Sequence, residues 1–284
     1  MKRAYVVDAA RTAVGKFGGT LSTVRPDDLG ADVIKALVAR NSSIDLNEIE
    51  DVVFGAANQA GEDNRNVARM SLLMAGLPVT VPGLTINRLC ASSLQAIADV
   101  SKNIAIGYGD MFIAGGVESM TRAPFVLPKA ESAYSRAGQV YDTSIGWRFI
   151  NPKLSALYHP YTMGETAENI AEKYGITRQE QDEFAYKTQL NYQNALNANK
   201  FENEIIPVHI PQRKGDALVF QQDEHPRLST VDQLSKLSAA FKSGGTVTAG
   251  NASGINDGAA ALLIVSEEAL KRYNLEPIAE PVAP

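Results

Sequence analysis

The chain has 284 residues, of which 45% are hydrophobic and 21% charged, with a formal net charge of −5 and one cysteine. That length can bury a large core, the composition is ordinary for a globular protein, and a lone cysteine allows no internal disulfide, which fits a reducing compartment. The acidic balance leaves no basic footprint for nucleic acid, although it is compatible with a local site for an anionic ligand.

The chain opens Met1-Lys2-Arg3 and passes straight into Ala4-Tyr5-Val6-Val7, an apolar run too short for a secretion signal. No run approaches a membrane span, so the expectation is a cytoplasmic protein with no membrane partner. In chain order, residues 5–8 read as a strand. Residues 26–40 read as a helix, with Pro26 suited to the first turn and Ile34, Leu37 and Val38 on one face. Residues 52–55 form a second strand, and residues 66–75 a helix ended by Gly76 and Pro78. Residues 83–89 read as a short buried strand, residues 90–100 as the helix after it, and residues 110–115 as another apolar strand. This alternation predicts an α/β sheet covered by helices.

From residue 121 to about 162 the chain turns to Pro, Gly, Ser and aromatics with no sustained period, the mark of a functional loop or an insertion. Two helices follow, the second opened by a capping box of Thr177 with Glu180 and running to about Lys200. Residues 204–210 and 217–220 read as a hairpin around Gly215, while residues 246–250 and 260–265 return to buried-strand character. The expected organisation is an α/β domain of residues 1–120 and 246–275, an inserted loop domain of residues 121–245, and a Pro-rich tail of residues 276–284.

Cys90 carries the strongest chemical signal. It falls between a strand and a helix, on what the pattern reads as the helix's first turn, where unpaired N–H groups and the helix dipole favour a thiolate. Small residues follow (Ala91, Ser92, Ser93), leaving room for a substrate. A lone cysteine also fits a small buried apolar residue, and both readings stand on this evidence alone. The glycine groups have neither P-loop nor dinucleotide-fingerprint spacing. Gly115-Gly116 fits either close approach of a backbone or ligand, or tight packing. The small-residue link of residues 251–258 suggests close approach of a ligand or a buried helix. His159, His209 and His225 are scattered, without metal-ligand spacing, so no metal is expected.

Asn87-Arg88-Leu89-Cys90-Ala91-Ser92-Ser93 resembles the nucleophile motif of the thiolases. Gly115-Gly116-Val117-Glu118-Ser119-Met120-Thr121-Arg122-Ala123-Pro124, Met163-Gly164-Glu165-Thr166-Ala167-Glu168-Asn169 and Thr246-Val247-Thr248-Ala249-Gly250-Asn251-Ala252-Ser253-Gly254 resemble three further segments of that family, in order. The match runs from residue 4 to about 275. Residues 55–66 and 146–152 look most like the 3-oxoadipyl-CoA thiolases of aromatic degradation.

The resemblance implies an α/β fold of thiolase type, with helices covering a mixed sheet and an inserted loop domain for coenzyme A binding and oligomerisation. It implies an acetyl-CoA acyltransferase that needs no cofactor and takes coenzyme A and acyl-CoA as substrates, acting as a homo-oligomer, dimer or tetramer. Cys90 would attack the 3-keto carbon of a 3-oxoacyl-CoA and carry the acyl group as a thioester, its backbone N–H helping to hold the thioester oxygen. Met163, Arg227, Phe241, Ala249 and Ser253 fall on family positions lining the coenzyme A site. A 3-oxoadipyl chain ends in a carboxylate, which an arginine reads well. Arg122, Arg136 and Arg148 are available, and of these Arg148, between Trp147 and Phe149 in the subgroup-like stretch, is the favoured one, against the alternative of a structural ion pair or an oligomer contact.

Thiolases also have a second half with a Gly-His-Pro histidine and a Cys-x-Gly-Gly cysteine, and neither motif occurs here. The resemblance is to the N-terminal part of a thiolase, as in a truncated reading frame or an excised piece. One alternative is an inactive fragment that only binds coenzyme A or assembles. A β-ketoacyl synthase would share the buried helix start but take carrier-protein substrates, and the thiolase-like motifs disfavour it.

Overall fold

The computed structural model describes residues 1–130, 132–136 and 138–282. The last two residues of the 276–284 tail lie outside that range. In chain order the elements are β1 (Ala4–Thr12), β2 (Gly15–Lys16), α1 (Pro26–Arg40), β3 (Asp51–Gly55), α2 (Val67–Met74), β4 (Gly83–Ile86), α3 (Ser92–Ala105) and β5 (Met111–Ser119). After these come β6 (Phe125–Val126), β7 (Tyr141–Asp142), α4 (Pro152–Leu157), α5 (Met163–Tyr174) and α6 (Arg178–Asn197). The chain then adds β8 (Ile205–Ile206), β9 (Val208–Ile210), β10 (Leu218–Phe220), α7 (Val231–Ser235), β11 (Asn256–Ser266) and α8 (Glu267–Tyr273).

These elements form two compact units: Met1–Ala123 with Asn203–Glu224 and Asn256–Pro284, and Pro124–Glu202 with His225–Ile255. The stretch 203–224 thus groups with the first unit and residues 246–255 with the second, whereas the sequence predicts an unbroken insertion of residues 121–245 and a return to the first domain at 246. For 203–224 the reason is strand pairing. Ile205 and Ile206 pair in parallel with Arg11 and Thr12 at the edge of the main sheet, and the β9–β10 hairpin puts Val208, Ile210 and Phe220 into the first unit's core.

The main sheet of the first unit is mixed, in the order β4-β3-β5-β11-β1-β8, with β2 added to β11. The strands β4, β3 and β5 run parallel, and β11 lies antiparallel between β5 and β1. Alternate residues of each central strand feed opposite faces. Val52, Phe54, Ile113, Ala261 and Leu263 pack with Leu29, Val33, Ile34 and Leu37 of α1 and Val67 and Leu72 of α2. Val53, Phe112, Ala114 and Ile264 pack with Ala96, Val100 and Ile104 of α3. A sheet buried on both faces explains why β5 reads as a continuous apolar run rather than an alternating one.

The second unit consists of the β6–β7 ladder and the helices α4 to α7. Helices α5 and α6 both open with complete capping boxes, Thr162 with Glu165 and Thr177 with Glu180. Residues 246–250, read from sequence as a strand, form a loop with one antiparallel bridge, Thr248 to Ala239, and a turn at 249–250. Two buried carboxylates hold this loop. Glu168 (4% exposed) accepts the Thr246 and Val247 amides at 2.9 and 2.8 Å. Asp182 (1% exposed) accepts Asn251 Nδ2 at 2.9 Å, and Asn251 Oδ1 accepts the Thr248 amide at 2.7 Å.

Candidate active site

In the first unit, Cys90 stands in a tight turn between β4 and α3, and its thiol is exposed, which does not fit a buried packing cysteine. Two features differ from the sequence expectation. β4 ends at Ile86 and is a half-exposed edge strand, not a buried one running to Leu89. Helix α3 begins at Ser92 with Ala91 as N-cap, so Cys90 precedes the helix instead of lying on its first turn.

The cause is local. Leu89 adopts φ +52°, in the left-handed region that side-chain-bearing residues avoid, and no helix runs through it. The Ser92 hydroxyl donates to the Leu89 carbonyl at 2.6 Å and accepts the Arg88 amide at 2.8 Å. The Ala91 and Ser92 amides donate back to the Arg88 and Leu89 carbonyls at 3.2 and 3.0 Å.

Two glycines seat this turn. Gly55 and Gly116 face each other across the β3–β5 ladder. A Cβ on Gly55 would collide with the backbone of Ser92 and Ser93, and one on Gly116 with the Ser93 hydroxyl and the Gly55 carbonyl. The close approach suggested for Gly115-Gly116 is therefore made by the start of α3. The neighbouring loop is fastened as well. Glu118 accepts the Ala57 amide at 2.8 Å, and Asp63 accepts those of Gln59 and Gly61 at 3.0 and 2.9 Å. Arg122 forms a paired bond to Glu62 at 2.5 and 2.6 Å. That bond is the largest pull holding the Glu62 carboxyl below its ordinary value, against a burial push upward. Arg122 is thus already engaged and is a poor reader of a substrate carboxylate.

In the second unit, Arg227 and Ala249 line one small pocket of about 30 Å³ with Gln189, His225, Ser229 and Ala252. The Arg227 backbone amide donates to Gln189 Oε1 at 3.0 Å, and the residue as a whole is exposed. Met163, the first residue of α5, is 76% exposed. The Phe241 ring lies against Gly164, where a Cβ would strike it. Ser253 is exposed and lies outside the pocket lining, next to Gly254, whose close neighbour is the His225 ring. Arg148 is half-buried with interactions of its own. Among the described residues no group of three or more His, Cys, Asp or Glu could hold a metal ion, and no helix is long and apolar enough to cross a membrane.

The family model described as "Thiolase, N-terminal domain" matches residues 4–268. The chain belongs to the thiolase family. It is 56% identical over 284 residues to a beta-ketoadipyl-CoA thiolase of Acinetobacter baylyi, covering 100% of this chain and 71% of that protein. It is 50% identical to the 3-oxoadipyl-CoA/3-oxo-5,6-dehydrosuberyl-CoA thiolase of Escherichia coli, again over 100% of this chain and 71% of the relative. Among solved structures, an acetyl-CoA acetyltransferase of Bacillus anthracis superposes with a TM-score of 0.89 at 38% identity, covering 99% of this chain and 69% of that one. The α/β fold of thiolase type expected from the motifs is borne out, and the chain is an acyltransferase of that family.

Residues such as Asn87, Ser92, Gly55 and Glu118 organise this thiolase's cysteine turn, and the sequence does not assign them roles. Two signals were present: an Asn two residues before a non-helical position, which is an Asx-turn pattern, and a carboxylate, Glu118, inside a buried apolar strand.

Proposed function

We propose that this chain acts in thiolytic cleavage of 3-oxoadipyl-CoA to succinyl-CoA and acetyl-CoA. Cys90 Sγ attacks the 3-keto carbon, and the bond between carbons 2 and 3 breaks. Acetyl-CoA departs as its enolate and takes up a proton. The succinyl group stays on Cys90 as a thioester until the thiol of coenzyme A attacks it and releases succinyl-CoA. The Cys90 amide is the proposed oxyanion donor. Met163, Arg227, Phe241, Ala249 and Ser253 are the proposed coenzyme A contacts, with the guanidinium of the exposed Arg227 suited to a phosphate. The reaction needs no cofactor in this reading. The base for Cys90 and the donor of the enolate proton are assigned to no residue of this chain. A homo-oligomer in the cytoplasm completes the proposal.

The observation that carries it is the exposed Cys90 thiol in a strained turn seated on Gly55 and Gly116, in a chain half-identical along its whole length to thiolases named for this substrate. Incubation with succinyl-CoA, read by intact mass, tests it. A succinyl adduct on the native protein that is absent from Cys90→Ser is the expected result. Binding of coenzyme A without any adduct would reduce the chain to a coenzyme A-binding fragment.

Arg148 is the proposed reader of the substrate's distal carboxylate. In thiolysis assays of a fusion that supplies the Gly-His-Pro histidine and the Cys-x-Gly-Gly cysteine, Arg148→Ala is expected to lower kcat/KM for 3-oxoadipyl-CoA more than for acetoacetyl-CoA, by about 1.5–3 kcal/mol of differential binding. Equal losses on both substrates would give Arg148 a structural role.

A further inference from the structure

The geometry points to Asn87, anchored by Glu118, as a positioning residue for the Cys90 nucleophile, an inference that rests on the acyl-transfer reading above. A continuous chain of hydrogen bonds connects the end of β5 to the turn. Glu118 holds the Ala57 amide at 2.8 Å and the Asn58 amide at 3.4 Å. The Ala57 carbonyl accepts Asn87 Nδ2 at 2.8 Å. Asn87 Oδ1 then accepts the Leu89 amide at 2.9 Å. Both ends of one side-chain amide are therefore used, one on the loop that follows β3 and one on the residue just before Cys90.

That residue is the strained one. Leu89 stands at φ +52° and the residue is 71% exposed, so packing does not account for the conformation. Such strain persists only where neighbouring groups over-determine it, and it clusters where a side chain must be presented in one direction. The other restraint comes from Ser92, which fixes the Leu89 carbonyl. Asn87 fixes the Leu89 amide. Clamping both polar groups of Leu89 sets the direction in which Cys90 leaves the turn. A nucleophile held this way gains rate from orientation, and a displacement of about 1 Å can cost on the order of 100-fold. A small alkylating reagent that attacks a thiol from many directions depends far less on that orientation.

The test compares Asn87→Ala, which removes both bonds, with Asn87→Ser, whose hydroxyl can still accept the Leu89 amide, and with Glu118→Gln. Three quantities are read on the whole chain: amide hydrogen exchange at Leu89, the rate of Cys90 acylation by succinyl-CoA, and the rate of alkylation by iodoacetamide. In Asn87→Ala, Leu89 exchange is expected to quicken at least tenfold and acylation to slow at least tenfold, with a threefold to fivefold change in alkylation. Asn87→Ser is expected to recover most of the acylation, and Glu118→Gln to fall between. Unchanged exchange in Asn87→Ala, or acylation at the native rate with Leu89 released, overturns the inference. Should the native protein take no acyl group at all, the acyl-transfer reading fails on its own. Iodoacetamide then decides the positioning claim: a rate in Asn87→Ala at least threefold from native sustains it, and an equal rate overturns it. If Asn87→Ala does not fold, Asn87→Ser and Glu118→Gln carry the same comparison, and native acylation in Glu118→Gln overturns the anchoring role.

Discussion

At the scale of single residues, the conformation of Leu89 makes a stability prediction opposite to the usual rule for glycine. A left-handed φ costs an L-residue roughly 1–2 kcal/mol, and glycine adopts it freely. Leu89 is largely exposed, so its removal sacrifices little burial. Set against the extra freedom glycine brings to the unfolded chain, Leu89→Gly is expected to stabilise the fold by up to about 1 kcal/mol. A denaturant midpoint lower than native would show that the leucine side chain contributes packing of its own. Glu168 gives a second test. Burial pushes its carboxyl upward, but the Thr246 and Val247 amides and the Thr246 hydroxyl pull harder, and the net value lies below the ordinary 4.5. A carboxyl depressed by folding stabilises the native state above its unfolded pKa, and that contribution is lost as pH falls through the folded value. At pH 7, Glu168→Gln is expected to cost about 1–3 kcal/mol. Its deficit relative to native should shrink below pH of about 4.5 in urea titrations. A deficit independent of pH would mean that shape, not charge, is what the loop requires.

At the scale of elements, much of the α/β frame was legible because local chemistry and tertiary packing agree. Helix α1 starts at Pro26 and carries Ile34 and Leu37 into the core, as its spacing predicts. The Thr177–Glu180 capping box opens α6. What was not legible depends on partners far away in the chain. The true start of α3 depends on Asn87 and Ser92 closing a turn around a left-handed leucine. The loop at 246–251 is held because carboxylates 79 and 69 residues upstream accept the Val247 amide and the Asn251 side-chain amide. Ser253 illustrates the same limit within the candidate site, since a motif position does not reveal which residues share a pocket wall. The glycine pair beneath α3 gives the prediction at this scale. Gly116→Ala places a methyl group against the Ser93 hydroxyl and the Gly55 carbonyl. Overpacking of this kind costs about 1–3 kcal/mol. Because α3 must rise from the sheet to make room, Cys90 acylation should fall by more than thermal stability alone explains. Native acylation in a folded Gly116→Ala protein would separate the seat from the chemistry.

At the scale of the whole molecule, the distribution of apolar surface bears on assembly. Within the second unit, Phe125, Leu127, Tyr134, Trp147, Leu157 and Tyr158 are each more than half exposed. In the first, β4 ends the sheet with one side unpaired and Leu84 half-exposed. Exposed large apolar side chains and open sheet edges are both unfavourable in water, and association removes them. Identical chains associate most readily through closed symmetric contacts. Sedimentation velocity is therefore expected to give a species larger than a single chain, growing with protein concentration. The tryptic sites offer an independent reading. Lys129 and Arg136 are exposed and neither lies in a strand or helix, so a single chain is expected to be cut there first. If copies of the chain cover this segment, cleavage at both residues should slow as concentration rises. If only the β4 edge is covered, cleavage should stay fast while the sedimentation coefficient still increases. A single sedimenting chain, cut at Lys129 and Arg136 at a rate independent of concentration, would remove assembly from the proposal and leave the exposed aromatics of the second unit to a different partner.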